Sequence, residues 1–216
     1  VVLSSCDTLR VTVRGASGHS GTPHQARDPI PAACEMVTAL QVLVTRAFDT
    51  FDPVVVTVGS FHAGTADNMI PAEARFGATL RSFSPASRDR LEQKAVRLVR
   101  EIAAAHELEV DVEYAREFPL TVNHPDEAAF VGAVAREAFG PTRFLEAPRP
   151  FTVSEDFAYV LNEVPGAFVA LGACPPDRNP ATAASNHSAE AEFDEGVLAQ
   201  GARLYAELAL RRLAIG

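Results

Sequence analysis

Four stretches of this 216-residue sequence carry residue types that packing alone does not require. In RGASGHSGTPHQARDPIP, residues 14–31, two glycines flank His19 and its neighbour, and His24 follows in the same polar loop. In GSFHAGTADNMIP, His62 and Asn68 share a second loop; in SEDF, Glu155 stands beside Asp156; in SNHSAE, His187 sits in a long polar segment. An imidazole can donate, accept, shuttle a proton or ligate a metal, and a carboxylate can take a proton or complete a ligand set. Each position also has a plainer reading: Asn68 as a turn residue, Glu155 as a capping acid, His187 as a surface histidine. No HExxH or CxxC accompanies them, so spacing alone names no metal centre.

The elements that must position these residues follow from periodicity. Leu9, Val11 and Val13 alternate with Arg10, Thr12 and Arg14, a strand leading into the His19 loop. After the loop, Ile30, Ala33, Val37, Leu40, Val44 and Phe48 form a stripe that predicts a helix over 30–48, with Pro29 and Pro31 suited to its first turn. VVVTVGSF predicts a strand over 54–61, and a second follows the Asn68 loop over 75–83. A helix then carries Leu91, Ala95, Leu98, Ile102 and Ala105 on one face. In the last strand Leu108, Val110, Val112 and Tyr114 point one way, and Glu109, Asp111 and Glu113 the other.

This β-α-β-β-α-β order predicts a ferredoxin-like domain with strand order 4-1-3-2, its edges at 54–61 and 108–118. First and last strands are then neighbours, and Arg10 and Arg14 meet the acids across them. Both helices cover one face, and the charged face stays wet.

Beyond residue 122 the pattern changes. A helix is expected over 124–140, a brief strand at FLEA (144–147) and a helix capped by Ser154 with Glu155 and Asp156 in its first turn. AFVALG (167–172) has the composition of a strand covered on both faces, and Asp194 caps a final helix. Two or three strands do not make a doubly wound sheet, so this part reads as the closing section of a larger α/β domain. A chain opening on VVLSS without Met reads the same way. The expected division is 1–7 as the end of a linker, 8–121 as the ferredoxin-like domain and 122–216 as the later part of the second domain.

Bulk properties narrow the partners. A formal charge of -9, with no basic stripe, argues against nucleic acid. No apolar run has the length of a membrane span and no leader is visible, so no membrane partner is expected. Three widely spaced cysteines, Cys6, Cys34 and Cys174, read as reduced core residues of a cytoplasmic protein.

In order, GASGHSGTPHQARDPI at 15–30, VTVGSFHAGTADNMIP at 56–71, ATLRS at 78–82, VSEDFAYV at 153–160 and NHSAEAEFDEGVLAQG at 186–201 resemble the M20-type metallo-aminoacylase family. The branch is that of hippurate hydrolases, N-acyl-amino-acid amidohydrolases and auxin-conjugate hydrolases. The resemblance implies an α/β fold class: an α+β, ferredoxin-like lid and dimerisation domain, followed by the end of a zinc-peptidase-type catalytic domain. It implies metal-dependent hydrolysis of N-acyl-amino acids, with two divalent ions per subunit (zinc, manganese, cobalt or nickel), in a homodimer joined through the lid. By the same resemblance His187 is a metal ligand, and His19 reaches the substrate carbonyl in the partner subunit's site. Asn68 and Arg81 hold the substrate carboxylate, Glu155 belongs to the acidic motif near the metal, and His24 and His62 line the cleft. Two departures stand out. The family's Cys-x-His segment, Glu-Glu pair and a further ligand histidine precede the lid and are not in this chain, and the usual proline after His-Ser is missing. The alternative reading is a non-catalytic dimerisation module.

Overall fold

A computed structural model describes residues 1–215. The chain divides into two compact units: Val1–Val122 together with Arg149–Glu163, and Asn123–Pro148 together with the chain from Val164 onward.

The first unit is built on six strands and three α-helices: β1 (Cys6–Arg14), β2 (Gly18–His19), α1 (Pro29–Ala47), β3 (Val54–Ala63), β4 (Met69–Ile70), β5 (Glu73–Ser82), α2 (Pro85–Ala105), β6 (Glu109–Phe118) and, after the excursion into the second unit, α4 (Phe157–Glu163). Four of the strands form an antiparallel sheet in the order β3-β5-β1-β6. This is the expected 4-1-3-2 order, with β3 and β6 at the edges.

Leu9, Val11 and Val13 of β1 are buried with Phe76 and Leu80 of β5, under Met36 and Leu40 of α1 and Leu91 and Val99 of α2. Burying each large side chain is worth about 1.5–3 kcal/mol. Both helices start where the chain offers a cap: Asp28 Oδ1 accepts from Ile30 N at 3.0 Å, and Ser84 Oγ from Ser87 N at 3.1 Å. On the open face, Arg10 donates to Glu113 at 2.9 Å and Arg14 to Asp111 at 2.7 Å. The hydrogen bond and charge of Asp111 raise the Arg14 pKa. These pairs are exposed, so they favour the register without holding the sheet together.

By length and composition α1 could cross a membrane. Here Pro29, Ala32, Ala33, Met36 and Leu40 are buried against the sheet, so it is a covering helix. One cysteine departs from expectation. All three are free thiols, but Cys34 is exposed on the outer side of α1.

In the second unit, α3 (Pro125–Phe139) lies along α5 (Val197–Ile215), joined by Arg211 to Glu137 and by Arg212, which pairs with Glu127 and stacks 4.1 Å from the Phe130 ring centre. Neither FLEA nor AFVALG forms a strand. Apolar composition needs a hydrogen-bonded neighbour to become a ladder. At 167–172 the Asn123 side chain takes that place, donating to Phe168 O at 2.9 Å and accepting from Phe168 N at 2.8 Å. Val169 and Leu171 are 39% and 52% exposed, not covered on both faces. Glu155 and Asp156 precede α4, which begins at Phe157, instead of occupying its first turn. Asp194 does lead into α5, its carboxylate accepting from Gly196 N at 2.8 Å.

Candidate functional site

The His19 loop leaves the end of β1 and is stitched down at once. Gly15 N donates to Ala72 O at 2.8 Å, and Ala16 bridges Arg27. A β-carbon on Gly15 would stand 2.0 Å from the Arg27 carbonyl oxygen, so only glycine permits this crossing. The two-residue strands β2 and β4 then pair antiparallel, with Gly18 opposite Ile70 and His19 opposite Met69. Ser20 N donates to Asn68 O at 3.2 Å, fastening the histidine loop to the asparagine loop. His24 follows in a 3-10 turn, Pro23–Gln25, and His62 lies on β3 opposite Arg75. Four of the expected residues, His19, His24, His62 and Asn68, therefore gather at one end of the sheet, all exposed.

The His19 ring is not free to turn. Its Nδ1 accepts from Gly21 N at 3.0 Å. Composition does not reveal Gly21 or Met69 as neighbours of this imidazole, because only the turn and the cross-strand pairing bring them to it.

Arg81 lies elsewhere. It sits near the far end of β5, opposite Val55 of β3. From Glu73 to Arg81 the strand runs eight residues, roughly 25 Å at ~3.3 Å each. Arg81 Nη1 is buried and, with Thr121 Oγ1, is one of two buried side-chain polar atoms without a hydrogen-bond partner among the described residues. A cation in that state is poised for an anion. The segment leading to Glu155 is anchored at the same end of the unit, with Ser4 Oγ donating to Val153 O at 3.1 Å. Phe151 N donates to Val2 O and Phe151 O accepts from Ser4 N, while Ser5 pairs with Ser82, next to Arg81.

His187 belongs to the second unit, exposed in a turn closed by Ser188 N donating to Ser185 O at 3.1 Å. Its φ of 72° is one of two positive values at non-glycine residues among the described residues. The other, Glu107, ends α2 in the ordinary left-handed cap. His187 takes its positive φ inside the Ser185–Ser188 turn, a conformation that histidine adopts more readily than most residues.

Among the described residues no three of His, Cys, Asp and Glu come together as a metal site. The described residues therefore do not by themselves make up a dinuclear centre.

Residues 4–107 match the family of the peptidase dimerisation domain of M20 type. A hippurate hydrolase of Campylobacter jejuni is 32% identical over 212 residues, covering 98% of this chain and 54% of that protein. An IAA-amino acid hydrolase of Arabidopsis thaliana is 33% identical over 217 residues, covering 99% and 49%. A Bacillus subtilis structure, described as a dinuclear metal-binding peptidase of the M20 family, superposes with a TM-score of 0.75 at 22% identity, over 99% of this chain and 51% of that one. At that identity the likeness is one of fold. This chain spans about half the length of the curated relatives it matches.

Proposed function

This chain belongs to the M20 peptidase family, with residues 4–107 as its dimerisation domain, and we propose that the whole protein hydrolyses the amide bond of N-acyl-amino acids. The relatives named for hippurate and for IAA-amino acids both act on compounds of that class. The observation that carries the reading is the His19–Asn68 ribbon: an exposed imidazole with one nitrogen already engaged, held by an antiparallel ladder at the rim of the sheet.

In this reading His19 donates to the acyl oxygen as it gains negative charge, and a well-placed donor of that kind is worth about 2.7–4 kcal/mol. Arg81 holds the free carboxylate of the amino-acid half. Asn68 assists from the His19 side, and His24 and His62 line the same rim. The roughly 25 Å between the two ends of β5 supports a shared arrangement. One lid does not bring both groups onto one small substrate, whereas two lids of a homodimer do. Glu155 supplies a carboxylate at the Arg81 end of the unit. Divalent ions belong to this reading, with zinc, manganese, cobalt and nickel all open, and His187 is this chain's contribution to holding them. A cytoplasmic location accompanies the free thiols.

A second reading, a dimerisation module without catalysis, is favoured by the closed core of the first unit and the uncharged run from Val54 to Phe61 on its edge strand. Metal content and turnover of N-acyl-amino acids by the full-length protein separate the two, and its His187→Ala variant tests the ligand. Loss of about one metal ion per subunit, with loss of turnover on N-acyl-amino acids, is expected. Unchanged metal content and rate would remove His187 from the site.

A further inference from the structure

Three successive amides leave the His19 turn toward three acceptors. Ser20 N reaches Asn68 O at 3.2 Å, Gly21 N reaches His19 Nδ1 at 3.0 Å, and Thr22 N reaches His19 O at 3.0 Å. His19 thus closes a β-turn with its carbonyl and captures the amide inside that turn with its ring. We propose that the Gly21 amide is the positioning group of this site, holding His19 as the Nε2–H tautomer and so making it an outward-facing hydrogen-bond donor.

A neutral imidazole has one N–H. A ring nitrogen that accepts from an amide carries no proton of its own, so the proton resides on Nε2. Among the described residues the His19 ring makes no other hydrogen bond, and the side chain is exposed, so Nε2–H remains available to a ligand. Without the amide, both tautomers would be open to the ring, and half of its orientations would present a lone pair where a donor is wanted. A ring already held spends no further ordering on binding the transition state.

The glycine is there for closeness. Its φ lies outside the left-handed region, so another residue would fit the backbone. A β-carbon at this position would stand 3.1 Å from His19 Nδ1 and 3.4 Å from Cε1, tight enough that the ring must shift to make room and the amide contact loosen. Gly21 therefore supplies both the donor and the room for the ring to reach it. The catalytic meaning of this tautomer rests on the function proposed above; the tautomer itself does not.

The test reads the ring directly. The 216-residue chain, labelled with ¹⁵N and held at alkaline pH where imidazole is neutral, is examined by long-range ¹H–¹⁵N correlation, with His19→Gln identifying the signal. The expected result is a protonated Nε2 and an unprotonated Nδ1 in the wild-type chain, relaxing toward a mixture in Gly21→Ala. A protonated Nδ1, or an even mixture already present in the wild-type chain, overturns the proposal. In the full-length protein Gly21→Ala should lower kcat on the order of ten- to a hundredfold with KM little changed. Unchanged kcat together with an unchanged His19 signal in that variant also overturns it. The two readings fail separately. If His19→Ala leaves hydrolysis intact while the correlation shows Nε2–H, the catalytic role proposed for His19 falls and the tautomer assignment stands.

Discussion

The backbone amide of Ser20 donates to the carbonyl of Asn68 at 3.2 Å, and with this bond two loops far apart in sequence become one rim. His19 faces Met69 across the ribbon beside it. The ribbon fixes the spacing of His19 and Asn68 at the rim, and several expectations follow from that placement.

If the rim serves the partner subunit's site, complementation should reveal it. Full-length His19→Ala and His187→Ala, each inactive alone, should recover part of the activity when mixed as heterodimers, because one of the two composite sites then keeps both residues. Turnover measured on purified heterodimers is the check. No recovery would put His19 in its own subunit's site.

Arg81 should separate stability from binding. Its buried, unpaired Nη1 costs desolvation in the free protein. Arg81→Leu should therefore leave the unfolding midpoint unchanged or raise it, while KM for free-acid substrates rises on the order of ten- to a hundredfold, the worth of a charged hydrogen bond. A substrate with an amidated carboxylate should lose its disadvantage in the variant. If the variant still prefers the free acid by the original factor, Arg81 does not hold the carboxylate.

Asp7 anchors the start of β1 from inside. It is 1% exposed, accepts from Arg88 Nε at 3.1 Å and from the Tyr114 hydroxyl at 2.8 Å, and so ties β1 to α2 and β6. Removing one partner of a buried pair leaves an uncompensated charge, so Asp7→Ala should cost about 3–5 kcal/mol in chemical denaturation. Tyr114→Phe should cost about 1 kcal/mol at neutral pH.

The same cluster predicts an alkaline effect. Burial first, then the charge of Asp7 and the hydrogen bond to it, raise the Tyr114 pKa above its ordinary value. The native state keeps this proton where the unfolded chain releases it, near pH ~10. The contribution to stability is full below that pH and is lost as pH rises toward the folded pKa. Tyr114→Phe should flatten this fall in a pH series of denaturation curves, and absorbance titration should show one phenol of three ionising late in the wild type. Three phenols titrating together would refute the assignment.

Assembly can be tested at β3. Val55 and Phe61 are 37% and 38% exposed on this edge strand, and Val42 on the adjoining α1 is 54% exposed. An uncharged edge beside apolar helix surface invites pairing with a second copy. Thr57→Lys, on the exposed side, should yield a folded monomer by circular dichroism and light scattering, whereas Val56→Lys, aimed at the core, should unfold the first unit. A Thr57→Lys protein that stays dimeric would locate the interface elsewhere.

The element order of the first unit, its strand order and the Arg10–Glu113 pairing were all legible in the sequence, because amphipathic period, caps and charge alternation are local properties. Periodicity also singled out the loops around His19 and Asn68, since neither sustains a core-facing pattern. What tertiary structure alone decided was which of these residues meet. The His19–Asn68 ribbon, the capture of the His19 ring by Gly21 and the burial of Asp7 each depend on hydrogen bonds and packing that no residue type announces. So does the distance of Arg81 from the rim, which is set by its place along β5 and not by its nearness to Asn68 in sequence. The same reason explains 144–147 and 167–172. Their apolar composition promised strands, but a strand exists only where a neighbouring backbone accepts and donates, and the second unit offers Phe168 a side chain, Asn123, instead.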